Sequence, residues 1–144
     1  MSDVRAIEAT ARSAAPPARV FALLEDARSW KDWTRFPHAD YLEEGDPPPH
    51  GVGAVRTFGT RFAGSRERVV AHDPPHHLAY VLEKGVPVRD YRADVTLTPD
   101  GTGTVIRWAS TFRPKYPGTG WLLTPFLRFI LRDFARRLAR HAEA

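Results

Sequence analysis

Apolar and polar residues alternate from Val4 to Arg12, with Ile7, Ala9 and Ala11 set against Glu8, Thr10 and Arg12. A period of two belongs to a strand with one buried face. Ser13-Ala14-Ala15-Pro16-Pro17 then supplies a helix start, because first-turn N–H groups have no intrahelical partner for proline to remove. Val20, Phe21, Leu23, Leu24 and Ala27 follow at helical spacing. Trp30 and Trp33, three apart, predict a second short helical turn that plugs one end of a sheet.

Six more strands are predicted: Ala39 to Glu44, Gly53 to Thr60, Arg66 to His72, Leu78 to Lys84, Tyr91 to Thr98 and Thr104 to Phe112. Asp73-Pro74-Pro75 and Pro99-Asp100-Gly101 are tight turns between them, so neighbouring strands run antiparallel. In the last strand Ile106, Trp108, Ser110 and Phe112 share one face, and Val105, Arg107 and Thr111 the other. The chain closes with a helix that Thr119 or Thr124 can cap, with Pro125 in its first turn or at a kink. Leu122, Phe126, Ile130, Phe134 and Leu138 form its expected apolar stripe, widened by Phe129 and Leu131. Arg128, Arg132, Arg136 and Arg140 recur every fourth residue on the other side.

These elements define an α+β class: a seven-stranded curved antiparallel sheet around a long C-terminal helix, with two short helices after strand 1. No repeat or linker divides the chain, so residues 1–144 are expected to form one domain. A bent sheet cannot meet a straight helix along its whole length. The space left between them is expected to hold a hydrophobic molecule.

Composition narrows the chemistry. The chain has no cysteine, which removes disulfides, thiolate ligands and thiol nucleophiles together. A net charge of +4 comes from dispersed arginines mixed with 17 acids, a solvated surface rather than a nucleic-acid stripe. Met1-Ser2-Asp3-Val4 opens no secretory leader, and Pro125 and Arg128 interrupt the longest apolar run; a cytoplasmic location without stable membrane insertion is the expectation. The serines have no recognisable base nearby, and Gly51-Val52-Gly53 lacks a dinucleotide fingerprint. His72, His76 and His77 straddle a proline-fixed turn and are expected to be exposed hairpin residues rather than metal ligands. No metal or cofactor is expected.

The run Ala15-Pro16, Val20-Phe21, Leu24, Asp26, Trp30 and Trp33 resembles the opening of the START-like, or polyketide cyclase/dehydrase and lipid-transport, superfamily. Asp73-Pro74-Pro75 with Leu78-Ala79-Tyr80, Gly103-Thr104-Val105 with Trp108, and Gly118-Thr119-Gly120-Trp121 continue the likeness from about Val4 to Arg140. That resemblance implies the helix-grip fold with a hydrophobic cavity beneath the C-terminal helix. It implies little about chemistry, since the superfamily holds carriers, receptors and enzymes.

The expected cavity residues are Tyr80, Leu82, Tyr91, Ala93, Val95, Trp108 and Ser110 from the sheet, with Leu122, Phe126, Phe129, Ile130 and Phe134 from the helix. Their function would be to bind or carry a lipid-like, polycyclic or aromatic molecule. The alternative is a cyclase or dehydratase working by proton transfer, with Arg56, Glu67, Tyr80, Glu83, Tyr91 and His38 as candidate groups if they point inward. For the charged members a surface ion pair across strands is the expectation. The arginines of the last helix would also suit an anionic membrane surface, although a solvated basic face is the simpler expectation. Oligomeric state is left open.

Overall fold

The computed structural model describes residues 3–59 and 64–144. Seven strands form one antiparallel sheet in the order β1-β7-β6-β5-β4-β3-β2. They are β1 (Arg5–Ser13), β2 (His38–Glu43), β3 (Val55–Gly59), β4 (Gly64–Asp73), β5 (His77–Lys84), β6 (Val88–Asp100) and β7 (Gly103–Pro114). Each expected strand is present, with ends moved by a few residues; Thr60 lies outside the described residues. Only the β1–β7 link is non-sequential, and the helices α1 (Pro17–Glu25) and α2 (Trp30–Trp33) follow β1. The β6–β7 hairpin turns on Gly101-Thr102, where Gly101 holds φ at 61°, a value glycine adopts without a Cβ clash.

The long helix α3 (Gly120–Glu143) is 24 residues, roughly 36 Å at 1.5 Å per residue. Thr119 stands at its cap position, although its hydroxyl donates to the Tyr116 carbonyl at 2.7 Å and caps no N–H; because the helix starts at Gly120, Pro125 falls inside it. The buried stripe is Leu123, Leu127, Leu131, Phe134 and Leu138, with Ala135, Ala139 and Ala142 beside it. This corrects the expected phase: Leu131, Phe134 and Leu138 face inward, Leu122 and Phe129 are turned to solvent, and Phe126 lies half-exposed at the edge between the two. The small alanines let the C-terminal half of α3 approach β1 closely, and this fixes the rotation of the whole rod. Ser13 Oγ ties the two elements together by donating to the Ala139 carbonyl at 2.8 Å.

The core is filled unevenly. Trp30, fully buried, meets Trp33, Phe58, Trp108 and Phe134 with ring centroids 4.7–5.8 Å apart. This aromatic block fills the region below the middle of α3. α3 packs chiefly over β1 and β7, at one side of the sheet. The inner faces of β4, β5 and β6 are therefore left unroofed toward its N-terminal half.

Candidate functional site

That unroofed region is a cavity of about 360 Å³. Its sheet wall is Glu67, Tyr80, Leu82 and Tyr91; its helix wall is Phe126, Leu127, Ile130 and Phe134; Phe36 and Val86 close the sides. Of the expected site residues, the structure brings six together here: Tyr80, Leu82, Tyr91, Phe126, Ile130 and Phe134. Ala93, Val95, Trp108 and Ser110 lie on the same buried sheet face but behind the wall, as core. Leu122 and Phe129 do not reach the cavity, because the rotation of α3 carries them outward. Glu67, Phe36, Leu127 and Val86 join the wall without having been expected as ligand contacts.

The charged candidates divide. His38 is exposed, and Glu83 makes surface ion pairs with Arg66 at 3.3 Å and Arg68 at 2.9 Å, as expected of strand charges. Arg56 and Glu67 overturn that expectation. They are cross-strand partners on β3 and β4, and both point inward. The Arg56 side chain is 0% exposed, and its Nη2 donates to Glu67 Oε1 at 2.8 Å. A second donor, Nη1, meets the Leu24 carbonyl in the last turn of α1 at 3.4 Å, where the helix dipole favours a cation. The guanidinium also lies 4.8–5.4 Å from the ring centres of Trp30, Tyr80 and Phe58. Its Nε–H finds no acceptor among the described residues.

A buried ion pair is seldom retained for stability alone, since desolvation offsets most of its attraction. Burial raises the Glu67 carboxyl above its ordinary value, while the charge and hydrogen bond of Arg56 pull it back. Burial also pushes the Tyr91 phenol up to about 12, opposed by the hydroxyls of Ser110 and Tyr80. Tyr80 is pushed well above its ordinary value, first by burial and then by the Glu67 charge, and its oxygen accepts from Trp108 Nε1 at 3.1 Å. The cavity wall thus sets two phenols held above their ordinary value beside one arginine-paired carboxyl group.

Two backbone irregularities aim these groups. The β4–β5 register shifts between Arg66 and Glu67, and the β5-facing strand β6 shifts against β7 between Arg89 and Arg92. Asp90, inside the second shift, has φ 52°, a left-handed conformation that aspartate tolerates better than most residues. Bulges of this kind re-aim a neighbouring side chain, here Tyr91.

No group of three or more His, Cys, Asp or Glu among the described residues is placed to hold a metal ion. His72 corrects the expectation of an exposed hairpin histidine. Its ring packs on Phe21 and its Nε2 meets Glu25 Oε2 at 2.7 Å, clamping the hairpin to α1. His77 pairs with Asp94 at 2.8 Å on the outer face. A broader hollow of about 680 Å³ lies there; Glu8 pairs with Arg107, and Asp94 with Arg92 and His77, while Arg128 at its edge has no ion pair among the described residues.

The family model described as polyketide cyclase/dehydrase and lipid transport matches residues 5–143. The chain belongs to this family. No curated protein matches its sequence significantly. Among solved structures, a START superfamily protein from Mycobacterium smegmatis is similar, with a TM-score of 0.81 at 13% identity, covering 96% of this chain and 97% of that one. Norcoclaurine synthase from Thalictrum flavum, solved with a transition-state analogue, has a TM-score of 0.76 at 16% identity over 99% and 96% of the two chains. At these identities the likeness establishes the shared helix-grip fold. In this chain the polar part of the cavity wall is Glu67, Tyr80 and Tyr91, with Arg56 buried behind Glu67.

Proposed function

We infer that the protein binds a small, mainly apolar molecule in the cavity beneath α3, with a polar end turned to Glu67, Tyr80 and Tyr91. The observation that carries this reading is the one-sided wall: apolar groups from α3, Phe36, Leu82 and Val86 face a single buried cluster of polar ones. Small-molecule sites combine these two features, a hydrophobic enclosure and a few placed polar groups. The volume lies near the lower end of the roughly 300–1,000 Å³ typical of such sites. It suits one or two fused rings, or a short chain, better than a diacyl lipid.

N-phenylnaphthylamine, a neutral fluorescent probe of that size, tests the reading. It is expected to bind with a blue-shifted, enhanced emission. Ile130→Trp, which fills the cavity from a half-buried helix position, should weaken binding by about tenfold or more while the melting temperature holds. Equal binding by the filled variant would place the probe elsewhere and defeat the proposal.

A second reading is favoured by the raised Glu67 carboxyl beside two phenols, an arrangement suited to proton transfer next to a carbonyl. The Glu67 carboxylate would take an α-proton, and a tyrosine O–H would donate to the enolate oxygen as it forms. β-Tetralone in deuterated water provides a direct measure, because each proton removed is replaced by a deuteron that NMR detects. Exchange above the buffer rate that falls about a hundredfold or more in Glu67→Gln supports catalysis. Exchange at the buffer rate in the native protein leaves binding alone as its function.

A further inference from the structure

The rotation of α3 that removes Leu122 and Phe129 from the cavity leaves them somewhere unusual. Trp121, Leu122, Phe126 and Phe129 are 74%, 59%, 49% and 53% exposed, and Tyr116 on the preceding loop is 55% exposed. Large apolar side chains scattered singly need no explanation, but this group is contiguous. With about 100° per residue, Trp121, Leu122, Pro125 and Phe129 share the outward face of the first half of α3. Arg132, Arg136 and Arg140 continue the same face along the second half.

The charge pattern says what such a surface would meet. From Gly101 to Arg132 the chain carries no aspartate or glutamate, while Lys115, Arg128 and Arg132 fall within or beside the patch. On α3, Asp133 is held by Arg35 and Arg137, and Glu143 accepts from the Ala14 N–H at the far end. The outward face thus presents about 12 Å of aromatic and aliphatic side chains, followed by about 12 Å of arginines that make no ion pair among the described residues. Tryptophan and phenylalanine with flanking basic residues are the composition of helices that lie in a membrane interface, apolar groups among the acyl chains and cations on the headgroups. No helix is long and apolar enough to cross a membrane, so the contact would be at the surface.

We propose that the outward face of α3 docks the protein reversibly on an anionic lipid bilayer, N-terminal half inserted and Arg132, Arg136 and Arg140 on the headgroups. Phe126 belongs to both the patch and the cavity wall. Docking in this pose places that shared residue, and with it one edge of the cavity wall, next to the bilayer. The docking itself does not depend on what the cavity holds.

Vesicle partitioning tests the proposal with phosphatidylcholine alone and with about one-third phosphatidylserine added. Trp121 is the exposed tryptophan, while Trp30, Trp33 and Trp108 are buried, so its emission reports insertion directly. The expected result is binding to the serine-containing vesicles, a blue shift, and weakening by added salt. The double change Trp121→Ser with Phe129→Ser should reduce partitioning by about tenfold or more, and Arg132→Glu with Arg136→Glu should do likewise. Both double variants should keep native circular dichroism and N-phenylnaphthylamine binding, which separates this proposal from the cavity reading. Native protein that stays free of anionic vesicles overturns it. So does partitioning that either double variant leaves unchanged, or a concentration-dependent dimer that shields Trp121 and is not displaced by vesicles.

Discussion

Arg56→Met is expected to destabilise the protein by about 3–5 kcal/mol, and the double change Arg56→Met with Glu67→Leu to restore most of that loss. Removing the arginine alone leaves Glu67 buried against Tyr80 and Tyr91 with no counter-charge. Removing both partners deletes the desolvation cost together with the attraction. Against a total stability of about 5–15 kcal/mol, the single variant would be close to unfolding. Urea titration of the native, single and double variants measures the coupling, provided the denaturant slope stays constant. Additive losses would mean that the pair is not a unit. The pH dependence adds a second check. Glu67 binds its proton more tightly in the folded chain than in the unfolded one, since burial raises its carboxyl. Its favourable contribution is therefore complete below the ordinary carboxylate value and is lost as pH rises through the raised folded value. Without Arg56 opposing that rise, the loss should be larger, so the gap between native and Arg56→Met should be smallest in acid and widen toward neutrality.

If the double variant is as stable as the native chain, stability does not account for the pair. The groups that remain to account for it are those it faces: an apolar cavity whose wall would otherwise offer only neutral phenols. Arg56 then acts as a positioning residue. It holds Glu67 ionisable at the cavity wall through its bond at 2.8 Å, and is itself held by the Leu24 carbonyl and three aromatic rings. The helix α1, far from the cavity residues in sequence, reaches the site through that one carbonyl.

The inward phase of the pair is legible in the sequence. On a strand, residues two apart share a face. Phe58 is an obvious core residue, and it places Arg56 on the inner face; Val69 does the same for Glu67. Charge type alone favours a surface pair; strand phase, set by the neighbouring core residues, overrides it here. The strands themselves were readable because β7 and β1 alternate cleanly between a buried and a wet face. The helix was not, because Trp121 to Leu131 is apolar at eight of eleven positions, counting neither Thr124, Pro125 nor Arg128, and so supports several phases. Ala135, Ala139 and Ala142 carried the missing signal: small residues mark where a helix comes closest to its sheet. The Asp90 bulge that directs Tyr91 has no comparable mark, since its register depends on pairing between three strands.

The four tryptophans provide the other large expected effect, because their surroundings differ so widely. Trp30→Ala is expected to cost about 3–5 kcal/mol, whereas Trp121→Ala should change stability by no more than about 0.5 kcal/mol. Trp30 is fully buried, its Nε1 donates to the Leu24 carbonyl at 3.0 Å, and its ring meets Trp33, Phe58, Tyr80, Trp108, Phe134 and the Arg56 guanidinium. Those partners come from α2, β3, β5, β7 and α3, so no single element can move inward to fill the space. The penalty should therefore fall in the range of a rigid cavity rather than a collapsing one. Thermal and urea unfolding of the two variants make the comparison. A loss below about 2 kcal/mol for Trp30→Ala would show that the aromatic block relaxes. In that case the cavity beside it would not be held open by that block, and the mismatch between curved sheet and straight helix alone would have to maintain it.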